Sequence, residues 1–543
     1  MKSPCSKMRN TTKQRGVILL IVAAVLVLAG LSMLLAMFDD TTVEAKRNQK
    51  TAEALAQAKE ALIGRAVSND NRPGSLPCPD LITNISGNVP NDGVADLFSG
   101  KICQSYIGRL PWRTLGLPDL RDGHGERLWY ALSPNFTDSD KLSNGTTPPV
   151  RIINSDTLGQ LVVTGASPAN DVVAIIFAPG PALVLVNQQR DSANPASAIS
   201  NTVANFLEAE NAAGGAIYSE AFLRGGTPTA DDVTNVTYTS AVVNIAVSTT
   251  FNDKLLAITR SDLMPLMEKR VVQEARICLD SHALNNGQRY PWAVPVTTPT
   301  TPLSGMVSAP NTFFGRFQRD LVGLMFALFD DMVAAIDAYE ASRTSANYDA
   351  KQAAYSAAQI SANDVKNYYS DLNNIPLKDA AANMEVAANN VSNLNASSTA
   401  TDFTNMRQAL ADARTAFSNL LPATNCTLFS SSYWNRSWKD LVFYQVANGF
   451  QPGGSGSCGT GTCLTINGSG AYHAAVIVAG RALSGQSPRN VTASPPGTYL
   501  EAGNAHSGAT PPVSFVTYRP DDAANYSTVN DLVLCLDGKV NCL

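Results

Sequence analysis

Residues 174–183 read Ala174-Ile-Ile-Phe-Ala-Pro-Gly180-Pro-Ala182-Leu183, and residues 474–483 read Ala474-Ala-Val-Ile-Val-Ala-Gly480-Arg-Ala482-Leu483. Each is a short apolar run, rich in β-formers and ending at glycine, the pattern of a buried strand. The likeness continues in order along the chain. Leu207-Glu208-Ala209-Glu210-Asn211 matches Leu500-Glu501-Ala502-Gly503-Asn504, and Phe251-Asn252-Asp253-Lys254-Leu255-Leu256 matches Val529-Asn530-Asp531-Leu532-Val533-Leu534. Upstream, Arg109-Leu-Pro111-Trp112 answers Arg289-Tyr-Pro291-Trp292. One such match could be chance; a series in one order indicates duplication.

Each Pro-Trp is preceded by a helical pattern, Thr42–Val67 in the first half and Leu263–Leu284 in the second. In the first, Ala45, Asn48, Ala52, Leu55, Lys59, Leu62 and Ala66 alternate by three and four, which marks one helix face. Val242–Val247 and Leu532–Leu536 are the expected closing strands of the two sheets. The halves differ by insertions. Asn71–Ile107 is a Pro-, Gly- and Asp-rich loop. Residues 310–421 read as a bundle of three or four antiparallel helices, with Leu321, Met325, Leu328, Met332, Ala335 and Tyr339 on one stripe and Met406, Leu410, Ala413, Phe417 and Leu420 on another. The expected fold class is therefore α+β. An N-terminal transmembrane and stem helix leads into two tandem helix-plus-antiparallel-sheet modules, 39–260 and 261–543, the second carrying the helical insertion.

The N-terminus supplies the transmembrane element. Val17–Phe38 is 22 residues without a charge, long enough to cross a bilayer at about 1.5 Å per residue. Lys2, Lys7, Arg9, Lys13 and Arg15 precede it with no acid among them, and Asp39-Asp40 follow. This asymmetry places residues 1–16 in the cytoplasm and the body outside it. No small-residue cleavage site follows a short apolar core, so an ordinary secretory signal does not fit.

The junction Lys13-Gln14-Arg15-Gly16 directly against Val17-Ile18-Leu19-Leu20-Ile21 resembles the class III leader of type IV pilins and type II secretion pseudopilins. Gly30 sits where that family often carries a glycine in the helix. The resemblance covers about fifty residues and implies cleavage after Gly16 and N-methylation of Val17. It also implies prepilin peptidase and the inner membrane as partners, and other pilins or pseudopilins along the apolar helix. The family's usual glutamate five residues after the cut is replaced by Ile21, and its usual Phe or Met at the first mature position by Val17. Because that carboxylate would face a neighbouring subunit's N-terminus inside an apolar bundle, its loss points to a minor or tip subunit. Asp122, Gly125 and Tyr130 keep the spacing of the pseudopilin D-P-W-G-x-x-Y-x-Y signature without its Pro-Trp, and Asn435, Trp438, Leu441 and Phe443 are the expected counterparts. The family's nearby loops can bind calcium, for which Asp119 and Asp122 could supply oxygens. A backbone turn explains the same residues more economically. The helical insertion is a second likeness, to the large tip pseudopilin.

Composition agrees with export. Charged residues are 16% of the chain, against roughly 25% in soluble domains. Without the five leader cations, Lys and Arg fall from 40 to 35 against 45 acids, and the net charge moves from −5 to −10. An acidic body without a basic cluster argues against nucleic acid. Eight of nine cysteines lie beyond the membrane helix, as an oxidising compartment allows. Cys458/Cys463 and Cys535/Cys542 are short-loop candidates, Cys78/Cys103 could close one loop, and Cys278/Cys426 remain; spacing alone leaves about 105 connectivities open. His124, His282, His473 and His506 are too scattered for a zinc site. The glycine-rich Gly453–Cys463 lacks the P-loop lysine. Glu208 and Glu501 are expected to anchor a loop each, the alternative being a paired carboxylate site. No catalytic motif is present, so a periplasmic or filament-borne structural subunit is the expected function. An uncleaved bitopic scaffold or adhesin, and a periplasmic hydrolase of unrecognised type, are the rivals.

Overall fold

The structure, a computed structural model, describes residues 15–37, 40–81, 89–138, 152–190, 203–212, 237–238, 250–293, 312–317, 321–420, 437–486, 489 and 495–537, with short interruptions. It is a mixed α+β architecture with antiparallel main sheets.

Helix α1 (Arg15–Met37) is made almost wholly of Val, Leu, Ile and Ala. Its described side chains, including Leu20, Ile21, Val25, Leu26 and Met33, stand exposed, with nothing from the body against them. Among the described residues no helix is long and apolar enough to cross a membrane; in α1 those side chains run only from Leu20 to Gly30, with Ser32 and Met33. Helix α2 (Asp40–Ser68) buries Thr51, Ala54, Leu55, Ala58, Leu62 and Ala66. The buried stripe is turned slightly from the expected one. Ala52 is exposed, and the small Ala54 and Ala58 face inward, where they let the sheet approach closely.

That sheet consists of β1 (Ile107–Arg109), β2 (Trp129–Leu132), β3 (Val172–Ala178) and β4 (Lys254–Thr259), paired antiparallel in that order. Strand β3 is buried along its whole length. It therefore reads as an unbroken apolar run instead of an alternating one. The closing strand is β4; Val242–Val247, expected in that role, lies outside the described residues. The chain passes straight from β4 into α3 (Arg260–Asn285), which packs on α2 and on the second sheet.

The second sheet repeats the first: β5 (Phe314–Arg316), β6 (Val442–Val446), β7 (Ala474–Val478) and β8 (Leu532–Leu536), again antiparallel in that order. The registers correspond pair by pair. Gly108 faces Tyr130 as Gly315 faces Tyr444. Tyr130 faces Ile176 as Tyr444 faces Val476, and Ile176 faces Leu256 as Val476 faces Leu534. Two sequence alignments need correcting. Arg109 corresponds to Arg316, not Arg289, because ladder position, and not the Pro-Trp likeness, defines the edge strand. The Pro-Trp segment corresponds instead to Pro77: Tyr130 Oη donates to the Pro77 carbonyl at 3.2 Å and Tyr444 Oη to that of Pro291 at 3.1 Å. Likewise Tyr444, not Phe443, answers Tyr130. A one-residue slip would have turned every side chain of β6 to the wrong face.

Both sheets, with α2 and α3, share one continuous core. The insertion is separate. Helices α4 (Leu321–Ala341), α5 (Ser345–Asp371), α6 (Ile375–Asn390) and α7 (Ala400–Ser418) enclose their own core around Met325, Phe329, Met332, Ile336, Met384 and Phe403. Thr399 caps α7 with a reciprocal Thr399–Asp402 capping box. Disulfides join Cys78 to Cys103 and Cys458 to Cys463. Cys278 and Cys535 are also disulfide-bonded; the partners expected for them, Cys426 and Cys542, lie outside the described residues.

Candidate functional site

The duplicated polar residues gather where β3 and β7 end. In the first half, Asp253 Oδ2 accepts from the Glu208 amide and from Asn211 Nδ2, both at 2.9 Å. Glu208 Oε2 in return accepts from the amides of Asn252 and Asp253 at 2.8 and 3.0 Å. The second half repeats each bond: Glu501 amide and Asn504 Nδ2 to Asp531 Oδ2 at 3.0 Å, and Asn530 and Asp531 amides to Glu501 Oε2 at 3.3 and 3.1 Å. Two acids thus lie side by side with little water. Burial first, and then the neighbouring glutamate, push Asp253 and Asp531 well above the ordinary carboxylate range. Glu208 and Glu501 do not meet each other; each is paired with the aspartate of its own half. Each pair ties the loop after the helix-side turn to the start of the last strand, which is the loop-anchoring role expected from sequence.

A second duplicated device stacks two arginines on one aromatic ring. Arg109 lies 4.1 Å and Arg190 5.0 Å from the Phe206 ring. Arg316 lies 4.8 Å and Arg489 5.3 Å from the Tyr499 ring. Arg190 also donates to the Gly180 and Phe206 carbonyls at 2.5 and 3.2 Å, as Arg489 does to those of Gly480 and Tyr499 at 2.9 and 3.1 Å. Sequence reading missed both arginines. Their signal was present, but Arg190 follows Gln188 by two residues and Arg489 follows Gln486 by three, so a rigid alignment does not superpose them.

The signature-like turn is built for the backbone. Asp122 Oδ1 accepts from the amides of His124 and Glu126 at 2.8 and 2.9 Å, and Oδ2 from the Gly180 amide at 2.9 Å. Gly125 takes φ 88°, where a side chain would be strained. Gly123 has the stem helix against it: a Cβ there would lie 2.2 Å from the Arg47 carbonyl oxygen. Its amide also donates to Thr51 Oγ1 at 2.9 Å. Asp119 is 2.7 Å from Arg121 and 3.0 Å from Arg127. Cations and amides already engage these oxygens, whereas calcium takes a shell of roughly six to eight oxygens. Among the described residues no group of three or more His, Cys, Asp or Glu is placed to hold a metal ion. A crevice beside Asp119, lined by Asp80, Arg109, Trp112 and Arg127, is too tight for a ligand. Gly16 and Val17 fall in the first turn of α1.

No family model, curated protein or solved structure matches the chain. Function must be argued from these residues alone. Chemically, the duplicated polar groups fasten turns and strand ends.

Proposed function

We propose that this protein is a minor, pilin-like subunit of a type IV pilus or type II secretion filament, processed after Gly16 and placed at or near a filament tip. The observation that carries the reading is α1. It is an apolar helix that begins beside Gly16, whose described side chains stand exposed, and that leads on to a stem helix laid across an antiparallel sheet. Such a helix exposed to water would cost about 25 cal/mol for each Å² of apolar surface, so it requires a bilayer or a bundle of like helices. In this reading it holds the protein in the inner membrane before assembly and lies among neighbouring subunits afterwards. The two sheets form tandem pilin-like modules, and α4–α7 enlarge the second. Ile21 in place of a carboxylate supports a terminal position, since the subunit cannot neutralise the amine of a neighbour.

Incubation of the membrane-inserted protein with a prepilin peptidase, followed by sequencing of the new N-terminus, tests the proposal. Val17 as the first residue is expected, with Gly16→Asp abolishing the cut. Persistence of Met1, or a cut elsewhere, would leave an uncleaved bitopic scaffold as the better reading.

A further inference from the structure

Helix α3 carries a buried acid that its counterpart does without. The inward stripe of α2, Ala54, Leu55, Ala58, Leu62 and Ala66, is repeated residue for residue in α3 by Val271, Val272, Ala275, Leu279 and Ala283. The same spacing matches Thr51 to Glu268, and both are buried. Thr51 Oγ1 accepts from the Gly123 amide at 2.9 Å, and Gly123 belongs to the turn between β1 and β2 of the same module. Between β5 and β6 the second module has α4–α7 instead. Its helix is met there by a turn of the other module, residues 152–157.

That turn is fastened by successive residues. Asn154 Nδ2 donates to the Ser437 carbonyl at 2.8 Å. The Ser155 carbonyl accepts from Arg260 Nη1, at the start of α3, at 2.9 Å. Asp156 accepts from the Ala482 amide at 2.8 Å and from Arg489 at 3.1 Å. Glu268 lies behind the turn and is 2% exposed. The polar and charged groups around it are Ser155 and Asp156 of the turn, Arg260 of its own helix and Arg489 of the loop after β7. Both guanidiniums are already committed. Asp171 holds Arg260 at 2.7 Å, and Arg489 serves Asp156 and the Gly480 and Tyr499 carbonyls. Glu268 Oε1 meets no hydrogen-bond donor among the described residues. A carboxylate here would be a buried charge with no partner of its own and with Asp156 near it; a neutral carboxyl group is tolerated.

We propose that Glu268 is a proton-operated latch on the seam between the modules: with its proton it seats the 152–157 turn in the second module, and when that proton leaves for solvent the turn lets go while both sheets stay folded. The latch is independent of how the chain is anchored or assembled. Local opening of this kind is a normal property of loops held by few contacts. Because opening releases a proton, its equilibrium constant should rise by up to about tenfold per pH unit. The rise runs from the carboxyl's ordinary 4.5 to the value of about 8 to which burial pushes it, and levels off above that.

Hydrogen–deuterium exchange of the full-length protein in detergent, read on peptides across that pH range and corrected for the intrinsic pH dependence of exchange, tests the latch. Peptides containing residues 152–157 and Ala482 are expected to follow this slope, while a peptide from β3 keeps its protection. Glu268→Gln should abolish the slope. So should Glu268→Thr, which installs the first module's residue and serves if the glutamine variant does not fold. Seam exchange that does not change with pH, or that changes as steeply in a folded variant, overturns the latch. Loss of protection in β3 in step with the turn also overturns it, since the event would then be global unfolding.

Discussion

Asp156 and Arg489 meet at 3.1 Å although 333 residues separate them. Asp156 also accepts from the Ala482 amide at 2.8 Å. In the first half, Arg190 instead has a local acid, Glu126, at 3.5 Å, and the neighbouring Gly180 amide is held by Asp122. The second module therefore borrows from the first the carboxylate that completes its arginine loop. Asn154 strengthens the same seam by donating to the Ser437 carbonyl at 2.8 Å.

Asp156→Ala leaves a nearly buried guanidinium without its carboxylate. Loss of about 1–3 kcal/mol of unfolding free energy is expected, with Arg489→Ala costing little more once Asp156 is gone. Urea unfolding of the two single variants and the double variant gives the coupling. Simple additivity would show that the pair does not join the halves.

Glu268, on the inner side of α3, lies near the same seam. Burial, foremost, raises its carboxyl to about 8, against which Ser155, Arg260 and Arg489 act. The folded chain thus keeps a proton that the unfolded chain releases near the ordinary value of 4.5. Between those values the native state binds more protons, so stability falls as pH rises and levels off above the folded value. Glu268→Gln should flatten that decline and gain on the order of a few kcal/mol at alkaline pH. Thermal melts across the range check this, and parallel curves for parent and variant would refute it.

Gly123→Ala has no room, because the Arg47 backbone stands where its Cβ must go. The stem must shift, at a cost of about 1–3 kcal/mol. Gly116→Ala, with open space around it but φ 68°, should cost only about 1 kcal/mol. Chemical denaturation ranks the two; equal effects would mean that stem contact adds nothing.

Among the described residues, helices α4–α7 contribute no side chain to the shared core of the two sheets, and they possess their own. Replacing residues 321–418 with a short Gly/Ser linker should leave the sheets folded and the Cys78–Cys103 disulfide formed. Circular dichroism with disulfide mapping by mass spectrometry decides it. A molten product would mean that the bundle supports the sheet.

Much of the fold was legible because duplication writes itself in sequence. The matches of Ala174–Gly180 with Ala474–Gly480, and of Asn252-Asp253 with Asn530-Asp531, coincide with the registers of β3/β7 and β4/β8. Glu208 and Glu501 were visible for the same reason. Arg190 and Arg489 were hidden by a one-residue difference in loop length, and Asp156 had no counterpart to reveal it.

The sequence by itself determined the apolar helix after Gly16, the amphipathic stem, the helical insertion and the buried central strand of each sheet, since these rest on periodicity and composition within short windows. Only the tertiary structure decided that Arg316 answers Arg109, that each buried glutamate pairs with its own aspartate, and that the two sheets share one core. Those outcomes depend on hydrogen-bond register and on contacts between residues hundreds of positions apart, which no local pattern encodes.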